Sequence, residues 1–176
     1  MPEVAYVTMN TKPAVTTTEL SGRTSAYLAA EVRPQVGGII QKRLFTEGSD
    51  IKAGQPLFQI DPALYQAALA RAEAQLSTLQ LKEKRLKELL AEKAVSRQDY
   101  DDTSAALKSV QAEVQTARIN LKYTTITAPI SGRIGKSNVT VGALVTAHQP
   151  VALATIQQMD PMYVDVSQST TDVFRL

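Results

Sequence analysis

Pro34-Gln-Val-Gly-Gly38-Ile-Ile…Phe45-Thr-Glu-Gly48-Ser-Asp-Ile51-Lys-Ala-Gly54-Gln-Pro-Leu57 and Pro129-Ile-Ser-Gly132-Arg-Ile134…Val139-Thr-Val-Gly142-Ala-Leu-Val145 are two copies of one half-motif. Gly38 to Gly48 and Gly132 to Gly142 are both ten residues apart. An apolar residue stands three before the second glycine (Phe45, Val139) and another three after it (Ile51, Val145). Glycine takes positive φ at tight turns without steric cost, so matched glycines predict matched backbone turns. Two such halves flanking a helical insertion predict one small β-domain folded from distant segments. Ile39, Ile51, Leu57, Ile134 and Val145 are expected in its shared core. The insertion then projects as an arm, the architecture of a spacer.

Working outward, Asp61-Pro62 marks a helix start: Asp61 can cap free N–H groups, and Pro62 suits the first helical position. Apolar residues follow at Leu69, Ala72, Leu76, Leu79, Leu86 and Leu90, with Glu83 at the one skipped heptad position. Glu83 with Lys87 and Lys84 with Glu88 are expected to pair at i,i+4. The pattern breaks at Lys93-Ala-Val and restarts with Ser96-Arg-Gln-Asp99, a capping-box-like start with Val95 and Tyr100 placed as a hydrophobic staple. A second seam runs Tyr100, Thr103, Leu107, Val110, Val114, Ala117, Leu121. Two seams joined by so short a turn predict an antiparallel hairpin, with helices of roughly 45 Å at most.

Residues 1–30 alternate polar and β-branched positions (Val4, Tyr6, Val7, Val15, Thr16 to Thr18) and read as short strands. After Tyr123 strands are expected at Thr124–Thr127, Val151–Ile156 and Met162–Val166, with Ser167 to Phe174 as a helix or loop. Met162–Val166 has no evident partner strand, so the chain reads as a piece of a longer protein. The fold class is therefore α+β: a lipoyl-like β-sandwich built from two half-motifs with an inserted antiparallel α-helical coiled-coil hairpin, plus partial β-barrel strands at both ends. The expected domains are 1–29, N-terminal strands of a barrel or membrane-proximal part; 30–61 with 123–156, the lipoyl-like domain; 62–122, the hairpin; and 157–176, the start of a β-barrel.

Composition narrows the chemistry. With 19 basic and 17 acidic residues there is no electrostatic case for nucleic acid as a partner. The chain has no cysteine and one histidine, His148, in a polar turn, which removes thiolate chemistry and Cys/His metal sites. No apolar run approaches a bilayer span, and the N-terminus lacks a signal-peptide pattern. Asp99, Asp101 and Asp102 lie on the first turns of a helix, where acids favour the positive dipole end, so they read as structural. No catalytic constellation, cofactor site or phosphate loop is found, and the reading is not an enzyme. Asn138-Val-Thr140 fits a glycosylation sequon that carries little weight at this length.

Glycine-turned half-motifs resemble the lipoyl/biotinyl carrier fold. Its modified lysine sits in a Met-Lys-Met-type turn between the halves, where this chain has the hairpin, so the resemblance supports the fold and argues against the cofactor. The order half-lipoyl, hairpin, half-lipoyl, barrel strand resembles the periplasmic adaptor (membrane fusion) proteins of RND-type multidrug efflux pumps. The stretches that carry this are Glu19-Leu-Ser-Gly-Arg-Thr24, Ala30-Glu-Val-Arg-Pro-Gln-Val36, Glu47-Gly-Ser-Asp50, Gln59-Ile-Asp-Pro62, Ala117-Arg-Ile-Asn-Leu121, Pro129-Ile-Ser-Gly-Arg-Ile-Gly135 and Met159-Asp-Pro-Met-Tyr-Val-Asp165. The resemblance implies a non-enzymatic, inner-membrane-associated periplasmic adaptor. It would link an RND inner-membrane drug/proton antiporter to a TolC-like outer-membrane channel and self-associate into a ring. An adaptor of an ABC-type or type I secretion system is a close variant, and a lipoyl or biotinyl carrier domain the competing class. The family's lipidated N-terminal Cys is absent here, and the family continues past the length of this chain.

The family's hairpin tip carries an Arg, a Leu four residues on and a Ser seven after that, which meet the channel. Arg85, Leu89 and Ser96 match those spacings. Ser96 also suits an N-cap and Leu89 lies beside the seam residue Leu90. Arg85 is the discriminating member, because the fold needs no exposed arginine there.

Overall fold

The structure, a computed structural model, describes residues 2–11, 17 and 19–169. Its elements are β1 (Gly22–Val32), β2 (Gly38–Arg43), β3 (Asp50–Ile51), β4 (Pro56–Ile60), α1 (Ala63–Ala91), α2 (Arg97–Tyr123), β5 (Thr125–Thr127), β6 (Gly132–Ile134), β7 (Leu144–Val145) and β8 (Ala154–Val166). Two compact units divide the chain: Ala26–Met162, and the residues before Ala26 together with those after Met162. The fold class is the expected α+β one.

Two four-stranded sheets form, in the orders β1-β8-β6-β3 and β5-β4-β2-β7. Each contains strands from both half-motifs. β3 of the first half pairs β6 of the second (Ile51 opposite Gly132), and β7 of the second pairs β2 of the first (Gly38 opposite Val145). The shift of 94 positions that carries Gly38 onto Gly132 carries one pairing onto the other. It also carries the hydrogen bond Gly48 N–H to Ile134 O (2.9 Å) onto Gly142 N–H to Ile40 O (2.8 Å). Gly54 N–H to Ala128 O (2.8 Å) likewise maps onto His148 N–H to Pro34 O (2.9 Å). The halves are thus two-fold equivalents that exchange strands.

Backbone dihedrals repeat with the sequence. Gly48 and Gly142 have φ of 76° and 89°, the positive values their turns were expected to need. Gly38 and Gly132 match at 154° and 155°, and both lie against a neighbour. A Cβ would come 2.6 Å from Ile60 Cγ2 at Gly38 and 2.4 Å from Gln157 O at Gly132. Gly54 (82°) is matched by His148 (56°), an exposed turn residue as anticipated.

The sandwich buries Val32, Val36, Ile40, Phe45, Ile51, Leu57, Phe58, Ile60, Ile126, Ile134, Val145, Leu153 and Ile156, with Phe45 and Phe58 edge to face at 5.2 Å. Four of the five expected core residues are there. Ile39 is not: it is 49% exposed, and Ile40 is fully buried instead. Successive side chains of a strand point to opposite faces, so two adjacent isoleucines cannot share one face.

α1 starts at the Asp61-Pro62 signal but one residue later than expected, with Pro62 at the cap position and Ala63 as the first helical residue. Asp61 Oδ1 accepts from Ala63 N–H at 3.0 Å, and Pro62 O receives Gln66 N–H at 2.8 Å. Every first-seam position, Glu83 included, is less exposed than its neighbours, with Ala72 buried on α1 and Thr103, Val110 and Val114 buried on α2. At the root of the arm, Tyr65 OH donates to Gly37 O (2.6 Å), and Gln59 Nε2 donates to Ile60 O (2.8 Å) while Thr125 Oγ1 donates to Gln59 Oε1 (2.9 Å). Tyr65 thereby ties the start of α1 to the residue before β2, the Gln59 side chain joins β4 to β5, and Ile60 N–H to Thr124 O (2.8 Å) ties β4 to the cap of α2.

Three strand expectations change. Val4, Tyr6 and Val7 lie in no strand and are over 80% exposed; alternation yields a strand only when a partner edge is in reach. Met162–Val166 is the end of one long strand that begins at Ala154 and neighbours β1 in its sheet, so it is not unpartnered. Ser25 Oγ donates to Asp165 Oδ2 at 2.9 Å. Of the strand expected at Val151–Ile156, only Ala154 to Ile156 belong to β8, as its first residues; residues 151–153 lie in no strand. Val15, Thr16, Thr18 and residues 170–174 lie outside the described residues.

The two glycines of the second half-motif, one in an open turn and one packed against backbone, should separate in stability. Gly142→Ala, with nothing within 4 Å of the new Cβ, should cost about 1–2 kcal/mol of backbone strain. Gly132→Ala adds a clash with backbone and should cost about 3 kcal/mol or more. Urea denaturation of the two variants measures this; equal losses would contradict the close approach at Gly132.

Candidate functional site at the distal turn of the hairpin

At the distal turn the first helix closes with Lys93 N–H to Leu90 O (3.0 Å) and Ala94 N–H to Leu89 O (2.9 Å). This is the pattern that places a left-handed residue just past a helix end, a position usually given to glycine. Here Lys93 occupies it, with φ of 58°. A cation at a helix C-terminus is favoured by about 0.3–1 kcal/mol, which offsets part of the strain.

The second helix starts at Ser96. Its Oγ accepts from Asp99 N–H at 3.1 Å and donates to Asp99 Oδ2 at 2.7 Å. Half of a capping box is formed; the Asp99 carboxylate takes the Ser96 hydroxyl, not its backbone N–H. Asp99 lies in the first turn, and Asp101 stands 4.0 Å from Arg97.

Arg85 is exposed, and its Nε reaches back along its own helix to Leu81 O at 3.3 Å. The terminal nitrogens of its guanidinium have no partner among the described residues. Leu89 lies one turn on, 39% exposed. Ser96 is across the turn, exposed but engaged as the cap. Arg85 and Leu89 therefore share a helix face, while no hydrogen bond joins either to Ser96.

Neither expected ion pair, Glu83–Lys87 or Lys84–Glu88, closes among the described residues. Glu83 instead accepts from Tyr100 OH at 2.9 Å across the hairpin. The skipped heptad position points the carboxylate toward the other helix, where a hydroxyl meets it. Two sequence signals, a carboxylate on the seam and a tyrosine at the start of the second seam, could have been read together. The hydrogen bond to Glu83, then desolvation and the negative charges of Glu83 and Asp101, raise the Tyr100 phenol above 10.0. Among the described residues no helix is long and apolar enough to cross a membrane.

Residues 29–157 match the family described as RND MFP, barrel-sandwich hybrid domain. The chain is 56% identical over 190 residues to the multidrug efflux pump subunit AcrA of Escherichia coli K12, covering 100% of this chain and 48% of that protein. It is 56% identical over 175 residues to the multidrug resistance protein MexA of Pseudomonas aeruginosa, covering 99% of this chain and 46% of the relative. The chain thus spans about half the length of these curated relatives. A MacA-MexA chimera containing the P. aeruginosa MexA α-hairpin superposes with a TM-score of 0.80 at 35% identity, over 88% of this chain and 56% of the chimera.

The Tyr100 contact has a pH signature. A phenol whose pKa is raised on folding contributes stability in full below pH 10, and that contribution is lost as pH rises through the folded-state value. Ultraviolet titration of the six tyrosines should show Tyr100 ionising late, and Glu83→Leu should bring it back toward the ordinary value. An unchanged curve would show that the contact does not hold in solution.

Proposed function

Because the chain belongs to the RND membrane fusion protein (MFP) family, we propose that it is the lipoyl-like and hairpin portion of a non-enzymatic periplasmic adaptor. The adaptor, associated with the inner membrane, links an RND drug/proton antiporter to a TolC-like outer-membrane channel. The observation that carries the reading is an exposed Arg85, its terminal guanidinium nitrogens without a partner among the described residues, near the end of an arm that is about 44 Å long at 1.5 Å per residue. Such an arm delivers a contact at a distance and encloses no chemistry. Residues 30–61 with 123–156 form the lipoyl-like domain, 62–122 the arm, and 1–29 with 157–176 belong to the neighbouring barrel and membrane-proximal parts. Arg85, Leu89 and Ser96 are the channel-contacting residues. Energy for export comes from the transporter.

Ring assembly has support on the outer face of the β-domain. Ile39 and Leu144 are paired neighbours across β2 and β7, 49% and 73% exposed, and β7 is an edge strand. An exposed apolar pair on a sheet edge suits side-by-side packing against another copy.

Arg85→Glu should leave thermal melting within ~0.5 kcal/mol of the parent, being exposed and away from caps and seam. Channel capture in a pull-down should weaken by ~2 kcal/mol or more per contact, compounded around a ring. Undiminished capture would remove the tip from the site. Leu144→Glu should lower self-association measured by light scattering without changing the melt; unaltered association would place the ring contact elsewhere.

A further inference from the structure

Glu83 is a carboxylate on an otherwise apolar seam, half-buried, and it gains one cross-hairpin partner, the Tyr100 hydroxyl at 2.9 Å. These two residues are 17 positions apart, and Arg85, Leu89, Lys93 and Ser96 all lie between them. The bond therefore closes the stem of the loop that holds the whole distal site. The other cross-helix polar tie among the described residues, Arg118 to Glu73 at 3.0 Å, is exposed and lies far from the turn in sequence.

A polar group at a single seam position fixes register because only one alignment satisfies it, whereas leucines at successive heptads tolerate sliding by a turn. Leu86 and Leu90 lie between Glu83 and the turn on α1, and Tyr100 starts the seam on α2. Were Glu83 a leucine, the α1 side of the distal seam would be uniformly apolar, and nothing on it would single out one alignment. Its carboxylate gives up packing for a directional bond. Desolvating a carboxylate is unfavourable, so a shifted register that parts it from the hydroxyl is disfavoured.

We infer that Glu83 and Tyr100 form a register lock: positioning residues that hold the two distal helix segments in one alignment and so present Arg85 and Leu89 on one side of the turn and Ser96 on the other as a single contact surface. The inference rests on the channel-contact reading above for its functional consequence, but not for its geometry.

The test uses the chain as it is, which has no cysteine, so spin labels can be placed at Lys87→Cys and Asp101→Cys alone. In that background Glu83→Leu, Tyr100→Phe and Glu83→Gln are compared by inter-label distance distribution, melting temperature and binding to a purified TolC-like channel in detergent. Glu83→Leu should melt at or above the parent temperature yet broaden or shift the distances and weaken channel binding about tenfold, the scale of one hydrogen bond to a charged acceptor. Tyr100→Phe should do the same to distances and binding. Glu83→Gln, which keeps the Oε1 acceptor, should restore both. Parental distances in Glu83→Leu and Tyr100→Phe overturn the lock, and so do altered distances with undiminished binding. A labelled parent that does not bind the channel at all overturns the adaptor reading instead, and the lock then stands or falls on the distances.

Discussion

The fold depends on one exchange: β3 of the first half-motif is completed by β6 of the second, and β7 of the second by β2 of the first. Neither half can satisfy its own backbone, since the carbonyl of Ile134 is taken by Gly48 and that of Ile40 by Gly142. Buried peptide groups left unpaired are costly, so a half-motif by itself has no stable sandwich to form. The two halves must meet across the helical insertion. An unstructured connection of that length would add loop-closure entropy, growing as about (3/2)RT ln n. An antiparallel hairpin lowers this, because it returns the chain to within a helix–helix separation of its starting point, about 8–10 Å. The insertion is in this sense part of how the β-domain folds as well as a projection from it.

Much of this was legible from residue spacing. Glycines ten apart in each copy foretold the turns at Gly48 and Gly142, because few other residues take that backbone freely. The seam was legible for a similar reason: threes and fours of leucine, alanine and valine admit one periodicity, and the exposure pattern follows it residue by residue. What spacing could not give was side-chain direction within a doublet. Ile39 and Ile40 are chemically identical, and only pairing of Ile39 with Leu144 decides which faces out. Nor could composition show that Val4, Tyr6 and Val7 would lie outside any strand, since pairing is a property of distant chain. At the tip, the cap at Ser96 was readable, but the left-handed Lys93 was not: that conformation is set by the helix ending, and lysine carries no signal for it.

The hairpin's energetics differ from those of the sandwich. Leu57, Ile40 and Ile60 are fully buried in a closed core, whereas Leu76, Leu79 and Leu86 are only half-covered. Large-to-small changes in the first environment leave a cavity that cannot collapse, at about 2–5 kcal/mol; a seam open to water relaxes more easily. Polar ties on the arm therefore matter less for total stability than for choosing among alignments of similar energy. The Arg118–Glu73 pair is exposed and contributes about 0.2–1 kcal/mol at most.

The bonds at the base of the arm act as the fulcrum of a lever. Tyr65 OH on Gly37 O and the Gln59–Thr125 contact lie at one end, and the distal turn at the other. A tilt of about 1° at the base displaces a tip about 44 Å away by roughly 0.8 Å, a sizeable fraction of the tolerance of a hydrogen bond. Aim is thus decided where the helices leave the sheet. A tyrosine hydroxyl some eight helical turns short of the distal turn, with no part in the proposed contact, has as strong a claim on the accuracy of engagement as the arginine proposed to make it.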